Sequence, residues 1–309
     1  MKQVESQNSD TSKYAIYVRF AAIAATSTAL ILVALKIYAW FVTGASAMLA
    51  SATDSMLDLF ASLANVFILR LALAPADEDH KFGHGKAESI AGLVQSAFVL
   101  GSALLLLFHG VERLQNPKVI EQSEVGIWVS IIAVVLTLGL VVIQKWVINK
   151  TSSVAISADS LHYQSDLILN LGVLVAIILS QGIWVYADGL FTIGVGIFLI
   201  VGASKIVWLS IDHLMDKELE EEKLELIRQT VLSHPKALGI HELRTRQAGQ
   251  HTFIQFHLVL DDLLSLYDAH AIADDVEASL QELFSDCEIF IHQDPKSVVP
   301  RELEDKENF

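Results

Sequence analysis

A single cysteine, Cys287, stands among 309 residues, which excludes an intramolecular disulfide and any metal cluster built on thiolates. Basic residues are scarce as well: 21 Lys and Arg face 36 Asp and Glu, for a formal net charge of −15. That balance argues against nucleic acid as a partner, because a polyanion is gripped through Lys and Arg. Nucleotide-driven chemistry has no foothold. Gly85-Lys86 lacks the upstream glycine spacing of a phosphate-binding loop and the Ser or Thr that should follow it, which argues against ATP as an energy source. No His-Glu-x-x-His occurs, which argues against an intramembrane zinc protease. After residue 210 there is no apolar run long enough to cross a bilayer.

Before residue 210 such runs dominate. Hydrophobic types make up 53% of the chain, and with so acidic a balance the apolar and acidic material must be segregated. A spanning helix needs ~20 largely apolar residues, and six runs qualify, at roughly 15–42, 46–73, 88–109, 125–148, 155–179 and 184–208. The first is too long for a secretory segment, so Ala45-Ser46-Ala47 is not read as a cleavage site. With the N-terminus inside, the cytoplasmic segments hold Lys2, Lys13, Arg19, Arg70, Lys81, Lys86, Lys145, Lys150 and Lys205, against Arg113 and Lys118 outside. The positive-inside rule then places both termini in the cytoplasm. The expected plan is a cytoplasmic segment 1–14, a six-span transport domain 15–210, a cytoplasmic domain 211–296 and a flexible acidic tail 297–309 whose end, RELEDKENF, reads as disordered.

In the cytoplasmic part, residues 219–234 carry Leu219, Leu224, Ile227, Val231 and Leu232 near helical spacing, with acids early and Arg228 late. Two strands follow, around 239–246 and 252–260, joined at Ala248-Gly249-Gln250. In the second, Ile254, Phe256, Leu258 and Leu260 alternate onto one face, leaving Gln255 and His257 on the other. A helix around 266–284 has Ala271, Ile272, Val276, Leu280 and Leu283 as its apolar stripe. A last strand, EIFIHQD, buries Ile289 and Ile291 and sets His292 and Asp294 opposite. The order α-β-β-α-β predicts a small open-faced α/β domain.

Two stretches break the apolar runs. SATDSMLDLF (51–60) carries Asp54 and Asp58, and DSLHYQSDLIL (159–169) carries His162 and Asp166 at the same spacing. A carboxylate at bilayer depth costs a few kcal/mol or more and marks function by default. Residues four apart share a helix face, so three carboxylates and an imidazole from two helices meet the coordination number of zinc, with donors that also suit Fe(II), Mn(II) or Cd(II). The alternative is four polar residues lining an aqueous cavity or hydrogen-bonding helices together. In the loop 74–87, Asp77, His80 and His84 are either solvated or liganded. His257, His292 and Asp294 share the solvent faces of two strands, His241 begins the first strand and His270 lies on the second helix. Exposed histidines of this kind are ordinarily plain surface.

Taken together, SATDSMLD, PADEDHKFGHGKAES, ADSLHYQSD, HELRTRQAG, FIQFHL and IHQDP resemble the cation diffusion facilitators, and within them the bacterial zinc and ferrous-iron efflux type, over about residues 15 to 300. The resemblance implies a six-helix transmembrane domain with a cytoplasmic metallochaperone-like domain, a homodimer in the bacterial inner membrane, and a transporter, not an enzyme. It implies a transport site of Asp54, Asp58, His162 and Asp166, in the Asp-Asp with His-Asp pattern of the zinc/iron branch, and a second site of Asp77, His80 and His84. His241, His257, His270, His292 and Asp294 match a binuclear cytoplasmic zinc site in which Asp294 bridges the ions. Lys86 and Asp216 match a charge pair that interlocks at the dimer interface. Zn(II) is then expected both as substrate, with Fe(II) and Cd(II) alongside, and as a structural or regulatory ion; no organic cofactor is expected.

His162 supplies a means of coupling, since a neutral imidazole binds metal, an imidazolium cannot, and His titrates near physiological pH. The expectation is a divalent-metal/proton antiporter. A channel should offer rings of carboxylates along a path, a membrane sensor has no need of Asp54 and His162 in its spans, and an enzyme needs an open position on the metal.

Overall fold

The computed structural model describes residues 2–44, 46–115, 124–179, 187–284 and 286–299. The expected tail after Pro300, Lys118 of an outer loop and the start of the sixth run lie outside these. Among the described residues the order is α1 (Lys2–Thr43), α2 (Ser46–Ala72), α3 (Ala87–Gln115), α4 (Glu124–Thr151), α5 (Val154–Leu179), α6 (Ala187–Leu214), α7 (Glu221–Leu232), β1 (Gly239–Ala248), β2 (His251–Leu260), α8 (Leu266–Leu283) and β3 (Cys287–Pro295), then a 3-10 turn. Tyr14–Ile211 forms one compact unit; the residues from Asp212 on, with those before Tyr14, form the other.

Among the described residues, five helical segments are long and apolar enough to span a membrane: Lys13–Thr43, Ser51–Ala72, Ala87–Gln115, Ile127–Thr151 and Gly189–Leu214. The sixth expected span, α5, has 26 residues, and its side chains beyond residue 171 lie outside those described. The packing is that of a bilayer protein. Phe41, Phe67, Phe108 and Trp208 are each at least 67% exposed, whereas α1 turns the small residues Ala21, Ala22, Ala25 and Ala29 inward. Lipid tails are as apolar as Leu, so large side chains gain nothing by going inside and small ones let backbones approach. Glycines let α3 and α6 approach: a Cβ on Gly110 would stand 2.6 Å from Ile193 Cγ1, and one on Gly189 would stand 2.9 Å from the Gly110 carbonyl oxygen.

Local chemistry sets the helix ends. Gly44, at φ +63°, takes the left-handed conformation that closes α1, its N–H donating to the Trp40 carbonyl at 2.8 Å. Ser153 caps α5, its Oγ accepting from Ile156 N at 3.3 Å. Glu88 of α3 completes that cap: Oε1 accepts from Val154 N at 3.0 Å and Oε2 accepts from the Tyr14 hydroxyl. An anion at a helix N-terminus is favoured by the dipole, and this one ties α1, α3 and α5 together where α5 begins.

The second unit is a three-stranded sheet in the order β1-β2-β3, antiparallel then parallel. Gly249, at φ +62°, turns the chain from β1 into β2. Ile254, Phe256, Leu258 and Leu260 of β2 meet Ile227 and Val231 of α7 and Ile272, Val276 and Leu280 of α8 in one core. Three expected stripe positions differ. Leu232 and Leu283 are 49% and 47% exposed, each being the last residue of its helix. On α8 Ala271 is exposed and Ala273 buried, because at 100° per residue Ala273 faces with Val276 and Ala271 does not.

Candidate metal centres

The helical period assembles the first cluster. His162 and Asp166 lie one turn apart on α5, and His162 Nε2 stands 3.6 Å from Asp166 Oδ2. Asp58 of α2 reaches the same nitrogen, its Oδ1 at 2.9 Å. One ligand atom from each residue falls within 4.8 Å of the others. Their side chains are 12 to 29% exposed, so the cluster is recessed yet reachable. Asp54 is outside this group; it sits one turn before Asp58 and is exposed. Tyr163, next to His162 with its ring centroid 5.5 Å away, is buried and hydrogen-bonded to Ser62 Oγ at 2.9 Å. Two carboxylates converging on one imidazole nitrogen form a donor set suited to a borderline divalent cation.

Asp159, three residues before His162, carried no distinguishing mark in the sequence beyond being an acid in an apolar run. It is completely buried. Its Oδ2 accepts from Gln144 Nε2 of α4 at 2.8 Å and its Oδ1 from Gln95 Nε2 of α3 at 3.3 Å.

The second cluster lies in the loop between α2 and α3. Asp77 Oδ1 accepts the backbone N–H groups of His80 at 2.7 Å and Asp79 at 3.0 Å, and the His80 backbone bond leads the causes that hold this carboxyl below its ordinary pKa. His80 Nδ1 stands 3.2 Å from Asp77 Oδ1 and His84 Nε2 3.4 Å from Oδ2. His84 Nδ1 is 3.2 Å from the Pro75 carbonyl. A donor at Nδ1 leaves the Nε2 lone pair available, the arrangement in which a backbone carbonyl at one ring nitrogen orients the other toward a metal.

Strand register builds the third. His241 pairs with His257 and His257 with His292, so the three histidines form one row across β1, β2 and β3. Ring centroids are 4.9 and 4.5 Å apart, the spacing of neighbouring strands. Asp294, two residues past His292, faces all three: Oδ2 is 2.7 Å from His257 Nδ1 and 3.1 Å from His241 Nε2, and Oδ1 is 3.1 Å from His292 Nε2. Burial alone would raise the Asp294 carboxyl, but the His257 hydrogen bond and the three imidazoles bring it below its ordinary range. His241 is buried, and neither ring nitrogen makes a hydrogen bond of acceptable geometry. Buried polar atoms are almost always satisfied, so a ring nitrogen 3.1 Å from a carboxylate yet misaligned for a hydrogen bond fits a shared cation. The β-bulge between His241 and Arg244, with Glu242 at φ +50°, interrupts the ladder here.

His270 is set apart on α8, 69% exposed and 3.7 Å from Asp274. Asp216 stands 3.5 Å from Arg246 Nη1; Lys86, which directly precedes α3, belongs to the other unit. Cys287 is no ligand candidate, its thiol pushed up to about 11 by burial and by Asp286 beside it.

The profile of the cation efflux transmembrane domain matches residues 22–215, and that of the cation efflux protein cytoplasmic domain matches residues 219–296. The cation-efflux pump FieF of Shewanella oneidensis is 48% identical over 290 residues, covering 94% of this chain and 98% of that protein. The pump of the same name from Yersinia enterocolitica is 46% identical over 290 residues, covering 94% and 97%. A solved structure of CzrB in its zinc form aligns with 28% of this chain and 99% of its own, at 33% identity and a TM-score of 0.27.

Proposed function

The chain belongs to the cation efflux family, and on that premise we propose that it exports Zn(II), with Fe(II) and Cd(II) as further substrates, from the bacterial cytoplasm in exchange for protons. The observation that carries this reading is the convergence of Asp58 and Asp166 on one nitrogen of His162 inside the membrane-spanning unit. With Asp54 one turn away, α2 and α5 offer three carboxylates and one imidazole. Cation and proton compete for the same lone pairs: metal binding expels protons, and protonation expels metal. If the cluster faces the cytoplasm in one state and the outside in another, that competition turns a proton gradient into metal efflux. Protons shared among the carboxylates and His162 belong to the cluster as a whole.

The cytoplasmic unit is proposed to hold zinc as a resident ion. His241, His257 and Asp294 would bind one ion, and Asp294 would use its other oxygen with His292 for a second, with His270 as a further donor. Such an ion would tie β1, β2 and β3 together and stabilise the folded domain by mass action. Asp77, His80 and His84 are proposed as a separate cytoplasmic site. The reading further assigns residues 1–14 and 211–309 to the cytoplasm, 15–210 to the inner membrane, and a homodimer as the working form, with no enzymatic activity.

The test uses liposomes loaded with a zinc dye and a pH dye under an imposed pH gradient, comparing the wild type with Asp58→Ala. Zinc flux that runs against proton flux and vanishes in the variant is expected. Zinc flux without protons would make the protein a channel, and zinc binding without flux a sensor.

A further inference from the structure

Asp159 is a buried acid outside the cluster of Asp58, His162 and Asp166. It has no accessible surface, and its donors, Gln144 Nε2 and Gln95 Nε2, are neutral amides. The charged groups around it give no fixed counter-ion. On α5 itself, His162 faces Asp58 of α2 and Asp166. On α3, Glu88 is held by Tyr14 and Val154 N. On α4, Lys145 and Lys150 are exposed. On α1, Lys36 donates to Ser55 Oγ at 2.7 Å. A carboxylate taken out of water without a fixed cation takes up a proton in preference to bearing the cost of its charge.

The protonated acid needs an acceptor for its O–H, and one is in place. Gln144 Oε1 is buried with no hydrogen-bond partner. A half-turn of that amide exchanges its oxygen and nitrogen and puts Oε1 where Nε2 now stands, 2.8 Å from Asp159 Oδ2. Gln144 can therefore donate to the carboxylate or accept from the acid without moving its stem.

We propose that Asp159 is an internal proton site, distinct from the cation's ligands, that is protonated when the transport cluster is empty and ionised when a divalent cation occupies it. The inference rests on the antiport reading above. On loading, the Asp159 O–H bond breaks, the proton leaves to the side the cluster then faces, and Gln144 turns its N–H toward the carboxylate. Two positive charges one helical turn away replace the one that departed. On release a proton from the opposite side re-forms the O–H bond, so each cation moves one proton more than the cluster alone exchanges.

The test counts protons in the full-length protein. Zn(II) titration calorimetry in buffers of different ionisation enthalpy gives protons released per zinc for the wild type and for Asp159→Asn, whose amide cannot ionise. One proton fewer in the variant, with zinc still bound, is expected; an unchanged count overturns the proposal. If Asp159→Asn does not fold, infrared difference spectra on zinc addition decide it: the wild type should lose a protonated-carboxyl band whose frequency Gln144→Leu shifts, and a wild type without that band overturns the proposal. A wild type that releases no protons removes the antiport reading and this site with it. A wild-type count matched by Asp159→Asn removes this site alone.

Discussion

The membrane cluster and the cytoplasmic cluster use the same two residue types and are built by opposite rules. Around His162, two of the clustered side chains are four apart on one helix, so the helical period already places them together, and the third requires just that α2 lie alongside α5. Around Asp294, each of the three histidines sits on a different strand, so the cluster exists when two pairings, one antiparallel and one parallel, are both in register. The surroundings are inverted as well. Large apolar side chains face outward around the first and inward beneath the second. A site made by helix phase tolerates softer packing; a site made by register depends on its core.

The largest effect should come from breaking the helix phase. One alanine inserted between Tyr163 and Gln164 turns Asp166 by ~100° relative to His162, and zinc transport in liposomes should fall more than about 100-fold, beyond the 10- to 100-fold typical of losing an outer-shell partner. Asp294→Ala in the same assay should leave transport measurable, while zinc binding by the cytoplasmic residues weakens. Loss of transport in Asp294→Ala, or survival of it after the insertion, would erase the distinction. Next in size is the core beneath the register. Phe256, fully buried on β2, should cost about 3–5 kcal/mol as Phe256→Ala, seen as a lower unfolding midpoint of the α/β unit by circular dichroism and a loss of zinc binding there.

The smallest effect belongs to the end of the sheet. His251 Nδ1 lies 2.6 Å from Asp286 Oδ1, and that hydrogen bond raises the pKa of His251. The folded value therefore lies above the unfolded one of ~6.5, so the contribution is complete below that pH and is lost as pH rises through the folded value. His251 is 45% exposed, which keeps the effect under about 1 kcal/mol. Unfolding midpoints of the wild type and Asp286→Asn should differ near pH 6 and converge as the medium is made alkaline; a constant difference would assign the pair no titrating role.

Apolar runs located α1 to α6, helical spacing located α7 and α8, and alternation located β2 and β3, because all three are local properties of the chain. Asp58, His162 and Asp166 stood out for the same reason, as polar residues at helical spacing in apolar runs. The histidine row was named through the family resemblance and not by its local pattern. β2 and β3 are joined through α8, and nothing in FIQFHL or IHQDP fixes which residue of one lies beside which of the other. The bulge at Glu242 had no glycine to announce it. Asp159 escaped because its partners, Gln95 and Gln144, come from α3 and α4, and a buried acid is told from a solvated one by neighbours that only tertiary packing supplies. Asp54 and His270 show the converse: helical spacing placed the one, and the family resemblance the other, with the candidate clusters, while the folded chain leaves both outside the tight groups.

The backbone contact between α3 and α6 also has a consequence for biosynthesis. A ribosome finishes α3 before α4 and α5 and reaches α6 last of the spans. The hollow at Gly110 meets its match only when Gly189 arrives. Until then α3 waits in the bilayer with a shallow notch of bare backbone that any small-faced helix could enter. Chains truncated before α6 should therefore turn over faster in the membrane than the full chain.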